Sequence, residues 1–156
     1  MKVFRGIAEL QRQVGSHLGW SPWHSVDQTQ IDSFAEATGD HQWIHVDSAR
    51  AANGPFGCTI AHGYLTLSLT SLLVSQIYRV DGMHMSVNYG TNKVRFPSPL
   101  PVDSRIRAGA ELLGLEPHSA GYHVVTGVTV EREGGRKPVC VAQRVALLVE
   151  EAPSMS

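Results

Sequence analysis

The stretch Thr38-Gly39-Asp40-His41-Gln42-Trp43-Ile44-His45 sets a carboxylate and an imidazole five positions apart, directly after a glycine. In an uninterrupted helix a five-residue step turns by roughly 140°, so Asp40 and His45 would face apart. They can meet on one small molecule only if the chain turns between them, and Gly39 is the residue type that permits such a turn. An Asp and a His that meet in this way can hold one water, activate it and return a proton to a neighbouring carbon. A structural reading stands beside the chemical one, with Asp40 capping a following turn and His45 a partly buried histidine bonded to backbone. His41 and His45, four apart, also have the spacing of zinc ligands on a helix. Gly39 and the lack of a third ligand at a suitable spacing speak against a metal, and none is expected.

A second element with chemical potential is Ile60-Ala61-His62-Gly63-Tyr64-Leu65, at the head of a long apolar segment. The first N–H groups of a helix have no partner within it, and the positive end of the helix dipole adds to their attraction for an oxyanion. Gly63 allows a ligand to approach that backbone closely. Tight packing of Ala61 and Gly63 against a strand would account for the small residues equally well.

These residues need a scaffold, and the pattern around them supplies one. Ile7, Leu10, Val14 and Leu18 recur at helical spacing and predict a short amphipathic helix near the start. Trp23 to Val26 reads as a brief strand. Asp27 then stands as N-cap to a helix over 28–38 that should stop at Gly39. Residues 40–56 mix Asp, His, Trp, Asn, Gly and Pro and read as irregular surface, with one helical turn after Asp47-Ser48. From about Ala61 to Tyr78 the pattern is again helical, with leucines in nearly every direction, so this helix should be buried on most sides. Beyond it the period changes to two. Strands are predicted around Met85 to Arg95, over Val102 to Leu112, over Tyr122 to Val130 and over Val139 to Val149, with Glu133-Gly134-Gly135-Arg136 as a turn. Helices first and a meander afterwards give an α+β domain. One long uncharged helix needs an antiparallel sheet wrapped around it, the geometry of a hotdog fold.

The bulk properties narrow the function classes. A length of 156 residues fits a single domain spanning 1–156. The net charge is -1 and no run of Lys or Arg exceeds two residues, so nucleic acid and anionic membrane surfaces are not expected partners. The segment 51–78 contains no charged residue, but Asn53, Pro55, His62 and its hydroxyls argue against a membrane span. Cys58 and Cys140 fit neither a disulfide framework nor a metal spacing, and the N-terminus does not resemble a secretory signal, so a cytoplasmic location is expected.

The stretch from Phe34 to Ser71 resembles the MaoC-like dehydratases and R-specific enoyl-CoA hydratases. Their signature is a Gly-Asp pair with a His five positions after the Asp, and later a His-Gly at the head of the central helix. The similarity extends to Asn88-Tyr89-Gly90 and to Asn92-Lys93-Val94-Arg95-Phe96-Pro97. Gln42-Trp43 replaces the family's usual Asn-Pro, as in a subgroup that looks like nodulation-protein-N relatives. The resemblance implies that Asp40 and His45 bind and activate water, that the Gly63 N–H forms an oxyanion hole, and that His62 and Ser71 lie at the substrate. It implies addition of water to trans-2-enoyl-CoA to give (R)-3-hydroxyacyl-CoA in fatty-acid metabolism. It further implies no cofactor beyond the CoA of the substrate, and a homodimer with acyl-CoA between subunits. Lys93, Arg95, Arg105 and Arg107 are open candidates for CoA phosphates. Acyl-CoA thioesterase and a non-catalytic acyl-binding module are the competing readings on the same scaffold.

Overall fold

The computed structural model describes residues 1–150, and residues 151–156, to which the single-domain reading extends, lie outside the described residues. The elements run β1 (Lys2–Phe4), α1 (Ile7–Gln11), β2 (His17–Trp20), β3 (His24–Val26), α2 (Gln28–Thr38), α3 (Trp43–Val46), α4 (Ser48–Ala52) and α5 (Gly63–Ser75). They continue with β4 (Tyr78–Val80), β5 (Met83–Arg95), β6 (Ser104–His118), β7 (Gly121–Arg132) and β8 (Cys140–Glu150).

The period-two segments form an antiparallel sheet in the order β2-β6-β7-β8-β5, with β3 also paired to β6. Its inner face carries small residues in register. Ala110 opposes Val128 and Val128 opposes Ala142, all buried, so α5 can lie close against the sheet. The helix returns Leu65, Leu69, Leu73 and Val74 to this core. A helix wrapped by an antiparallel sheet is the hotdog arrangement. No helix among the described residues is long and apolar enough to cross a membrane.

Three expectations are revised. The N-terminal helix ends at Gln11 instead of reaching Leu18, because β6 captures the chain: the Gly15 N–H donates to the Leu112 carbonyl at 2.7 Å and the Leu112 N–H to the Ser16 carbonyl at 3.0 Å. Leu18 is buried from strand β2 instead. Helix α5 begins two residues late because Ala61 donates to the Leu100 carbonyl and Ile60 bridges Pro101, holding 60–61 extended. It ends before Tyr78, where the chain enters a parallel pairing of β4 with β1 that the sequence pattern did not announce. One side of α5 stays open in a single chain, with Tyr64 70% and Leu72 42% exposed.

Candidate active site

Helix α2 delivers the first half of the site. Its N-cap Asp27 accepts from the Gln30 N–H at 2.9 Å, and its last turn closes on Gly39, whose φ of 79° is the left-handed conformation that glycine adopts without strain. That reversal puts Asp40 just outside the helix, at an exposed position. The chain then re-enters helix as α3, which turns His45 inward to burial.

His45 is fixed from three sides. Its Nδ1–H donates to the Ile60 carbonyl at 2.6 Å, so the neutral ring presents a bare Nε2. Its own carbonyl accepts from Gln28 Nε2 at 2.7 Å, and Gln28 Oε1 accepts from Thr59 Oγ1 at 2.5 Å. The ring stacks on His62, centroids 3.8 Å apart, and Phe34 lies against the far neighbour at 4.9 Å. Burial pushes the His45 pKa below the ordinary histidine range, and the charge of a protonated His62 pushes the same way. The Ile60 carbonyl and the Asp40 charge oppose this shift.

Asp40, His45 and His62 each bring a donor atom to within 4.8 Å of the others. The carboxylate and imidazole named from the sequence therefore converge, at a separation that one water can bridge. The trio is a poor metal cage, however. Imidazole lone pairs lie in the ring plane, and two rings stacked at 24° cannot both aim at one ion. His41 takes no part, pairing on the surface with Glu36 at 3.6 Å.

Gly63 and His45 line the same cleft, of about 320 Å³, whose walls include Phe56, Ile60, Phe96 and Leu100. The Gly63 N–H has no backbone partner among the described residues. A side chain here would collide with the Phe96 ring, since a Cβ would sit 2.9 Å from it. His62 does not line the cleft. It is buried, and its Nε2–H is spent on the Asp40 carbonyl at 2.9 Å, so it holds the Asp40 turn against the head of α5. Ser71 is not brought to this cleft within one chain either. It lies eight residues, roughly 12 Å, further along α5, where its hydroxyl accepts from Arg144 at 3.2 Å.

A family model described as "MaoC like domain" matches residues 9–134. The chain belongs to the MaoC-like family. Among its MaoC-like relatives, the 3-hydroxyacyl-thioester dehydratase Z of Mycobacterium tuberculosis is 49% identical over 150 residues, covering 96% of this chain and 99% of that protein. Nodulation protein N of Rhizobium leguminosarum bv. viciae is 43% identical over 145 residues, covering 91% and 90%. The unliganded R-hydratase PhaJ1 of Pseudomonas aeruginosa superposes with a TM-score of 0.73 at 25% identity, covering 96% and 94%. This MaoC-like chain is a hydro-lyase.

Sequence reasoning missed the supports of the MaoC-like site. Gln28 and the Ile60 carbonyl reach His45 from 17 and 15 positions along the chain, and Thr59 holds Gln28 from 31 positions away, so no local spacing marks them. Trp43 was noted only as a departure from the family motif. Its ring carries the Arg50 guanidinium at 4.3 Å and would collide with any side chain at Gly54, so it braces the segment between α3 and α4.

Proposed function

We propose that the protein adds water to a trans-2-enoyl-CoA to give (R)-3-hydroxyacyl-CoA, and catalyses the reverse dehydration, within fatty-acid metabolism. The observation that carries this reading is the convergence of the Asp40 carboxylate and the His45 ring beside the free head of α5. His45 Nε2 removes a proton from the bridging water, whose oxygen bonds to the β carbon. Asp40 holds that water and relays the proton to the α carbon. As the double bond is consumed, charge moves onto the thioester oxygen, where the Gly63 N–H and the helix dipole stabilise it. The reaction calls for no metal or redox group, only the CoA already present in the substrate.

The same reading takes the described residues as part of one domain, cytoplasmic in setting, that works as a homodimer with acyl-CoA between subunits. Strand β5 supports the dimer. It is the sheet's edge, nearly all of its residues are exposed, and Met85, Val87 and Tyr89 stand 43 to 64% open.

Incubation with a ladder of trans-2-enoyl-CoAs, followed by chiral analysis of the product, tests the proposal. Loss of enoyl absorbance with an (R)-3-hydroxyacyl product is expected. Release of free thiol instead would mark a thioesterase, and binding without conversion an acyl-binding module.

A further inference from the structure

Arg144 breaks the pattern of its strand. It alternates with Ala142 and Ala146 on the helix-facing side of β8, in register with buried Thr126 of β7. A position flanked by alanines over a packed helix calls for an apolar residue. A guanidinium fills it instead, reaching the Thr70 carbonyl at 3.4 Å, the Ser71 hydroxyl at 3.2 Å and the Asn88 side-chain oxygen at 3.0 Å. All three acceptors are neutral, and among the described residues no carboxylate pairs with Arg144. A half-buried cation without a counter-ion is costly, and most such cations in proteins have a partner. Burial accordingly pushes its pKa below the usual guanidinium range.

Its surroundings show where a partner would enter. Three cavities lie along α5, and the second and third lie between it and β5. The catalytic cleft lies at Gly63 and Phe96, the next cavity at Leu67 and Thr91, and the third, of about 310 Å³, at Val74 and Met83. Arg144 and Ser71 line both the second and the third. The third is walled largely by apolar side chains, among them Val74, Val80, Val124 and Leu148, with Arg144 as the fixed cation at its edge. Arg79 also lines it but is paired with Asp81 at 3.2 Å, so an apolar cavity of this size with Arg144 as its unpaired cation fits a small amphiphile whose polar end is anionic. The fork of the guanidinium suits a carboxylate or phosphate in particular.

We propose that Arg144, with Ser71 and Asn88, forms an anion subsite that binds a carboxylate or phosphate group of the acyl thioester and so sets substrate preference. The proposal deepens the hydratase reading and rests on it for the identity of the ligand. Two sources share this chemistry, a carboxylate at the far end of the acyl chain and a phosphate of the CoA carrier.

Calorimetric binding of saturated, unreactive ligands tests the subsite without requiring turnover. Each acyl-CoA is compared with its ω-carboxyacyl counterpart of equal length and with the matching acyl-pantetheine, which lacks phosphates. For Arg144→Met, affinity for one anionic class should fall about tenfold or more, the scale of a hydrogen bond to a charged group. Loss confined to ω-carboxyacyl ligands places the carboxylate there, and loss for every CoA thioester but no acyl-pantetheine places the phosphate there. Asn88→Asp, which sets a counter-ion beside an intact Arg144, should give the same loss and guards against misfolding of the first variant. Unchanged affinity of both folded variants for all three ligand classes would overturn the subsite. Failure of the wild type to hydrate enoyl-CoA would count against the hydratase reading and leave these binding results standing.

Discussion

The imidazole of His45 lies stacked on that of His62 at 3.8 Å, and the two rings divide their hydrogen bonds between different backbone carbonyls. His45 spends Nδ1–H on Ile60, and His62 spends Nε2–H on Asp40. One histidine thus keeps a bare nitrogen while the other anchors the carboxylate-bearing turn. His62 Nδ1 is buried and has no hydrogen-bond partner among the described residues.

The pH dependence follows from His45. Its folded-state pKa is depressed, so between that value and the ordinary one the unfolded chain binds more protons than the folded one. Stability therefore rises with pH across this window and is lost as pH falls through the folded value. The neutral base likewise persists to lower pH than an ordinary histidine would allow. The acid limb of kcat/KM should fall below about 6.5. A limb above that value would contradict the assignment of the base.

Replacing His62 separates positioning from catalysis. His62→Phe keeps an aromatic ring under His45 but removes the bond to the Asp40 carbonyl and the charge that opposes His45 protonation. Stability should drop by about 1 kcal/mol. Turnover should decline, and the acid limb of the profile should move upward. A decline in turnover with an unmoved limb would assign His62 a purely structural part.

At Gly63 the added methyl of Gly63→Ala meets the Phe96 ring. Phe96 is 40% exposed, so its ring has room to shift. We expect a loss of about a hundredfold in kcat, comparable to losing an oxyanion donor, with little change in melting temperature. Partial recovery in Gly63→Ala/Phe96→Ala would show that the collision is the cause.

Gln28 carries a different kind of burden. Gln28→Leu strands the His45 carbonyl and the Thr59 hydroxyl, at a cost of about 2 kcal/mol by thermal or denaturant unfolding. A loss of turnover larger than the loss of folded protein would show that His45 has drifted.

Much of this was legible in the residues themselves. Asp27 and Gly39 bound helix α2, and the alternation after Val102 marks the strands, because caps and periodicity are local properties. Asp40, His45 and Gly63 stood out for the same reason. What escaped was set by distant partners. The edge of β6 unwound the end of the first helix, the strand of Lys2–Phe4 found Tyr78–Val80, and Gln28 reached across to the His45 carbonyl. The family resemblance set Ser71 at the substrate, and the sheet places Arg144 against its hydroxyl. The hydroxyls of α5 gave no means of telling these apart.

The central claim is that Asp40 and His45 together deliver one water to a carbon–carbon double bond. Reaction of a short trans-2-enoyl-CoA in heavy-oxygen water, with wild type and Asp40→Asn side by side, tests it most directly. The label should appear in the 3-hydroxyl group of an intact thioester, and the variant, though folded, should make that product two to four orders of magnitude more slowly. Label in a free carboxylate with release of thiol, or a variant as fast as the wild type, would contradict the claim.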